Sequence, residues 1–390
     1  MAPDLPIYLD YQATTPVDPR VMRVMLPYFT EEFGNASSSD HVYGARAAEA
    51  VEKARIQVAR LLHAKPEEII FTSGATESNN LALLGVMERL SAQGDHLVTS
   101  ATEHKAVLET ARKLEKKNKL VTFLPVDRYG RVDSAGVDAA ITEETVLISI
   151  MAANNEIGTI APLEEIGAIA RESGVLFHTD AAQAAGHIPL NVDAMKIDFA
   201  SISGHKIYGP KGVGALYVKG SAPAARISAL ICGGGQERGI RSGTLNVPGI
   251  VGLGEALELA QREMAQENRR FRKWTELMFE SFKEFYNTVS LNGHPTKRLA
   301  HNLNVCFPGI ESKALIHVLR NHLSVSAGSA CTTASTEPSH VLRAIGLENS
   351  LIYSSLRFGL GRFNSQEEID YAIEKVQWGI EKLRKIQGVS

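Results

Sequence analysis

Apolar residues along this chain follow two rhythms, and their alternation predicts the fold. Continuous apolar runs bounded by turns recur at Glu68–Phe71, His96–Thr99, Val121–Leu124, Thr145–Ile150, Val175–His178, Phe199–Ile202 and Gly214–Val218. Between most of them apolar positions step every three or four residues, over Ala45–Leu62, Asn79–Ala92, Lys105–Lys117 and Leu163–Ser173. That step is the helical repeat. Strands that read as unbroken apolar runs are buried on both faces, so the alternation predicts an α/β fold with a mostly parallel seven-stranded sheet flanked by helices. In such sheets ligands gather beyond the carboxyl ends of the strands. His104, Asn155, Asp180 and Lys206 all follow strand ends.

From about Val247 to Asn287 the rhythm becomes that of one long helix, with Glu255, Glu258, Arg262, Gln266, Arg269 and Lys273 on its polar face. It leads into a smaller α+β C-terminal domain with strands near Val289–Leu291, Asn302–Phe307 and Ser355–Leu360. The last helix opens on a capping box, Ser365-Gln-Glu-Glu368, followed by Ile369, Ala372, Ile373 and Val376 at helical spacing. The expected division is a large domain over residues 15–260 and a small one made of 1–14 and 261–390.

Composition narrows the function classes. With 390 residues, 44% hydrophobic, the chain can bury a large core and a second smaller one. A formal net charge of −3 gives no electrostatic reason to expect direct contact with nucleic acid. No stretch approaches ~18 uninterrupted apolar residues, so no membrane span is expected. The first residues carry neither a basic nor an apolar leader pattern, so no secretory signal is expected. Cys232, Cys306 and Cys331 are odd in number and far apart, which argues against a disulfide framework and against a Cys-x-x-Cys metal site. No metal is expected, and the reducing cytoplasm is the expected location.

The chemistry centres on Lys206, in Ser203-Gly-His-Lys206-Ile-Tyr-Gly-Pro210, between an apolar strand and a Gly-Pro turn. A lysine desolvated there can lose its proton and form a Schiff base with an aldehyde cofactor, and Ser203 and His205 beside it can hold a phosphate. Taken alone it would be an ordinary loop lysine. Upstream, Thr72-Ser-Gly-Ala-Thr-Glu77 follows a strand and opens a helix. Its first free amides and the Thr76 hydroxyl make an anion cup, or simply a well-capped helix. Glu77 is an awkward neighbour for a phosphate and is expected to point away. Asp180, in His178-Thr-Asp-Ala-Ala-Gln183, can keep a pyridine nitrogen protonated or serve as an N-cap. Asn155 and Gln183 can donate to a ring phenolate oxygen, and His104 can stack on the ring or be a polar surface residue. Five such coincidences in the right chain order favour a joint reading, a site for pyridoxal 5′-phosphate.

The set Tyr8–Pro16, Gly34-Asn35, Thr72–Glu77, Ala101–His104, Asn154–Gly158, Asp180–Gln183, Gly204–Lys206, Arg241–Thr244 and Ser329–Cys331 resembles the cysteine desulfurases. These are pyridoxal-phosphate enzymes of fold type I in the class V aminotransferase group, and the resemblance runs from about residue 7 to 385. It implies that Lys206 is the Schiff-base lysine, Asp180 the ring-nitrogen partner and His104 the stacking residue. It implies that Ala75, Thr76, Ser203 and His205 bind the phosphate, with Thr244 reaching in from the second subunit of a homodimer. Gln183 and Asn155 would serve the phenolate oxygen; Asn35, Asn155 and Arg357 would bind the substrate. Arg357, in Ser354-Ser-Leu-Arg-Phe-Gly359, suits a bidentate carboxylate clamp.

Cys331 decides which enzyme of the group is expected. A free cysteine is most often a small buried hydrophobe. Around Cys331, however, Ser324–Ser335 holds no charge and no aromatic anchor, so an accessible thiol on a mobile segment is expected. The run Ala327–Ser339 also resembles the long-loop branch of the family, which supplies iron–sulfur cluster assembly and tRNA thiolation. Cys232 and Cys306 lie in stretches that read as structural. The expected reaction is that of a sulfurtransferase. Arg357 holds the L-cysteine carboxylate, Lys206 takes the Cα proton, and the Cys331 thiolate takes the sulfur as a persulfide, leaving L-alanine. His104 is the candidate acid/base for the substrate thiol. The persulfide would pass to protein acceptors such as an iron–sulfur scaffold. A selenocysteine lyase or another class V lyase or aminotransferase would share the cofactor residues; a non-enzymatic scaffold would need no electron sink.

Overall fold

The computed structural model describes residues 6–220, 226–327, 337–386 and 388. Its strands are, in chain order, β1 (Ile7–Tyr8), β2 (Ile69–Thr72), β3 (His96–Ser100), β4 (Leu120–Leu124), β5 (Thr145–Ser149) and β6 (Leu176–Asp180). There follow β7 (Phe199–Ser203), β8 (Gly214–Val218), β9 (Ser290–Leu291), β10 (Asn302–Cys306), β11 (Leu323–Ser324) and β12 (Ser355–Gly359). The helices run from α1 (Pro19–Met25), α2 (Pro27–Thr30), α3 (Val42–Leu62), α4 (Ala75–Arg89) and α5 (Lys105–Glu115) to α6 (Ser134–Ala140) and α7 (Leu163–Glu172). They continue with α8 (Val247–Phe285), α9 (Ser312–Leu319), α10 (His340–Ala344), α11 (Asn349–Ile352) and α12 (Gln366–Ile386).

The expected α/β sheet is present. Seven strands lie in the order β2-β8-β7-β6-β5-β3-β4, all parallel except for β8, which runs against both its neighbours. Every residue of β2, β3, β5, β7 and β8 is buried, which is why these segments read as continuous apolar runs. In β6 only Leu176 is partly exposed, whereas the edge strand β4 is mostly so and its Leu120 is exposed.

Two cores share one helix. The first half of α8 places Ile250, Leu253 and Leu257 in the large core beneath the sheet. Its second half places Phe271, Trp274, Met278 and Phe282 in a separate cluster with β10, β12 and α12. Against the first half packs α3, whose inner face of Ala47, Ala50, Ala54 and Val58 lets the two helices approach closely. A Cβ on Gly254 would stand 2.8 Å from the Ala54 Cα, so only glycine fits at this crossing. The chain start is stitched into the second core: β1 pairs in parallel with β11, Ile7 opposite Leu323. From there residues 10–15 run along the sheet's carboxyl edge, between the two cores.

Candidate active site

The turn from β2 into α4 builds the anion cup. Gly74 precedes the helix at φ 147°, ψ 178°, a backbone region open essentially to glycine alone. The first amides of α4 have no intrahelical acceptor and converge beyond the strand end. Ala75 and Thr76 line a cavity of about 440 Å3 at this point. Thr72 and Ser78 share a hydroxyl hydrogen bond of 2.8 Å that braces the turn. Glu77 does not leave the cavity as expected. It lines the rim, accepts from the Ser73 amide at 2.8 Å and is paired with Arg241 at 2.8 Å.

Lys206, Asp180, Gln183, Ser203, His205, His104, Asn155 and Arg357 line the same cavity. Lys206 Nζ donates to the carbonyls of Gln12 (2.6 Å) and Ala13 (2.8 Å). The Gln183 amide donates to the Gln12 carbonyl as well, at 3.0 Å. Asp180 ends β6, 5% exposed, and its two oxygens accept from Asn79 Nδ2 (2.7 Å) and the Ala182 amide (3.0 Å). His104 caps α5: its Nδ1 accepts from the Ala106 amide at 3.1 Å, which puts the ring proton on Nε2. His205 Nδ1 meets the Thr14 hydroxyl at 3.1 Å. Burial, with Lys206 and Lys211 nearby, lowers the His205 pKa to about 4, so it is a neutral hydrogen-bonding group at pH 7.

Behind this wall lies a carboxylic acid. Glu103 is buried, with one oxygen on the Met151 amide at 2.7 Å and the other unpaired. Burial pushes its pKa well above the usual carboxylate range, and the nearby Asp180 charge adds to the rise. Its protonated form is thereby favoured, which lets the unpaired oxygen stay out of water.

The second core supplies the opposite wall. Arg357 comes from the middle of β12 and is 1% exposed. Its guanidinium donates to Asp10 (2.6 Å) and to the Asn155 carbonyl (2.8 Å), and its buried Nε has no protein partner. A planar, partly unpaired guanidinium facing a cavity suits a carboxylate.

Two expected residues are not in this cavity. The Asn35 side chain is exposed and accepts from the Ser37 amide at 3.0 Å. Thr244 is exposed at the end of a loop that returns from Ile231. Cys331 lies outside the described residues, as does most of the Ser324–Ser335 run. Cys306, read as structural, is buried in β10. Three contributors were missed by sequence reasoning: Asn79 behind Asp180, Asp10 on Arg357, and the Gln12–Ala13 carbonyls that receive Lys206. Asp10, Gln12 and Ala13 lie inside the Tyr8–Pro16 motif, so its position was the available signal.

Comparison with known proteins agrees with this geometry. The family model described as aminotransferase class-V matches residues 7–372. A cysteine desulfurase IscS of Anaeromyxobacter dehalogenans (strain 2CP-C) is 53% identical over 382 residues, 98% of this chain and 94% of that protein. One of Rickettsia africae (strain ESF-5) is 51% identical, covering 98% and 93%. Among solved structures, a NifS-like protein superimposes with a TM-score of 0.90 at 37% identity, over 97% of this chain and 100% of that one. A structure titled SspA in complex with cysteine gives a TM-score of 0.81 at 39% identity, covering 92% and 100%.

Proposed function

The chain belongs to the class V aminotransferase family, and on that premise we infer that it is a pyridoxal-phosphate-dependent cysteine desulfurase serving iron–sulfur cluster assembly. The observation that carries the reading is one cavity that unites the Lys206 amine, the Asp180 carboxylate, the α4 anion cup and the buried Arg357 guanidinium. The donor set fits the cofactor. Ala75, Thr76, Ser203 and His205 would hold its phosphate, Asp180 its ring nitrogen and Gln183 its phenolate oxygen. Bound there, it supplies an aldehyde that captures an amino group and a ring that draws electrons from the adjacent carbon.

The chain's own residues do the rest. Arg357 and Asn155 orient the L-cysteine carboxylate, which sets the Cα–H bond relative to Lys206. Lys206 removes and returns the proton at Cα, and the neighbouring carbonyls of Gln12 and Ala13 hold its amine in place. Asp180, fixed by Asn79, would keep a proton on the ring nitrogen. His104, with its proton on Nε2, serves the substrate thiol. The Cys331 thiolate takes the sulfur, becoming a persulfide as the C–S bond breaks and alanine leaves. Support for Cys331 is its small, uncharged sequence surroundings. A homodimer places the exposed Thr244 at the partner's phosphate. The persulfide is passed to a protein acceptor such as a cluster scaffold, in the cytoplasm, in keeping with three widely spaced cysteines.

The test is alanine formed from L-cysteine, with a reducing thiol present, by the wild type and by Cys331→Ala. Alanine from the wild type alone supports the persulfide route. Equal alanine from both would replace it with direct sulfur elimination, and none from either would overturn the substrate.

A further inference from the structure

We propose that Arg241 is a positioning residue that neutralises Glu77 at the rim of the anion cup, so that the phosphate of the cofactor meets no opposing carboxylate. The proposal rests on the cofactor reading above and assigns a role that none of the cup residues fills.

Glu77 sits in the first turn of α4, next to Thr76, and lines the cavity. Its Oε2 accepts the Ser73 amide at 2.8 Å, closing the turn that presents Gly74. Moving the carboxylate away would break that contact and open the turn to water. A phosphate ester in the cup would face a fixed negative charge within the same helical turn. Arg241 answers it with two contacts, Nε to Oε1 at 2.8 Å and Nη2 to Oε2 at 3.5 Å. Both side chains are mostly shielded, 23% and 16% exposed, so water screens the pair weakly. Burial raises the Glu77 pKa, but Arg241 and the Ser73 amide outweigh it and carry the net shift below the ordinary value; the charge to be neutralised is present.

Arg241 is itself set from behind. Its backbone bridges Ile231, the Ser242 amide donates to the Ile231 carbonyl at 3.1 Å, and the Gly243 amide donates to Gln236 Oε1 at 2.8 Å. The cations that line the cavity belong to other elements, Lys206 and Lys211 to the segment after β7 and Arg357 to β12. Arg241 thus approaches from a different element and acts on Glu77 directly.

A charge role and a mere loop-anchoring role predict different outcomes. The full chain, stripped of cofactor, is titrated with pyridoxal 5′-phosphate and with pyridoxal, following the absorbance of the bound form. The proteins compared are the wild type, R241Q, E77Q and the R241Q/E77Q pair. The E77Q change keeps a side-chain oxygen for the Ser73 amide and removes only the charge. R241Q should weaken pyridoxal 5′-phosphate about tenfold and leave pyridoxal within about twofold, since only the phosphate feels the uncovered charge. The double variant should recover to within about threefold of the wild type, because the charge has gone with its partner. A double variant as weak as R241Q, or equal losses for pyridoxal and its phosphate, would overturn the proposal and leave Arg241 a loop anchor. A wild type that binds neither compound would instead sink the cofactor reading itself.

Discussion

The two walls of the pocket are built by opposite means. On the wall formed by the large core, Lys206 and Gln183 are held by main-chain carbonyls, both converging on Gln12. On the facing wall Arg357 is held by a side-chain charge, Asp10, with a carbonyl in support. A carbonyl partner survives any substitution that keeps the local backbone, whereas a charged partner is removed by a single change. Lys206 and Gln183 on the first wall are therefore robust in their supports and sensitive only in their own side chains. The second wall is sensitive in both.

Replacing Lys206 by Ala attacks the robust wall at its reacting atom and should have the largest effect. Turnover of L-cysteine should fall about 10^4-fold or more, and the visible absorbance of the lysine-linked cofactor should vanish; retention of either would refute the role. Arg357→Lys keeps the charge and loses the planar fork. It should lower kcat/KM for L-cysteine about 100-fold while leaving cofactor absorbance intact. Asp10→Asn probes the support of that wall, by uncovering a buried guanidinium. It should cost about 2–3 kcal/mol of stability in denaturant unfolding, and an unchanged midpoint would show that the Asn155 carbonyl suffices. Asn79→Ala, its counterpart behind Asp180, removes one hydrogen bond to a carboxylate that keeps another. A loss of about tenfold in kcat is expected, with KM little changed.

A further test is a pH trend. Burial holds His178 at a pKa of about 3 and His205 at about 4, below the value of about 6.5 in an unfolded chain. Between those values the unfolded chain binds more protons than the folded one, so stability falls as pH drops from about 6.5 toward 4. Melting temperature followed across this range should decline steadily, and His178→Asn should make the decline shallower.

What was legible in the sequence follows the same division. The strands of the central sheet stand out because both their faces are buried, and the residues at their carboxyl ends were identified with them. Strand order was not legible: nothing local says that β8 inserts between β2 and β7 in reverse. The start of α4 was placed four residues late, because Ala75 and Thr76 belong at once to the helix and to the anion cup. Helix α9 went unread, since Ser312–Leu319 is short and apolar enough to suit a strand as well. The supports of the site were hidden for a different reason. Asp10 and Arg357 are 347 positions apart, and Asn79 and Asp180 are 101 apart, so no periodicity links them.

The pairing of β1 with β11 carries a consequence for how the protein is made. Residues 7–13 leave the ribosome long before their partners, since Ile7 has no strand partner until Leu323 has been synthesised and Asp10 has no ion-pair partner until Arg357. The large core, all of it but Leu299 in place by Leu259, can collapse around its sheet long before that. Lys206 would then stand in a half-built pocket, its two carbonyl partners on a segment not yet docked. Productive uptake of the cofactor should accordingly be a late event in biogenesis, and ribosome-stalled chains ending before residue 323 should bind pyridoxal phosphate poorly even where the central sheet has formed.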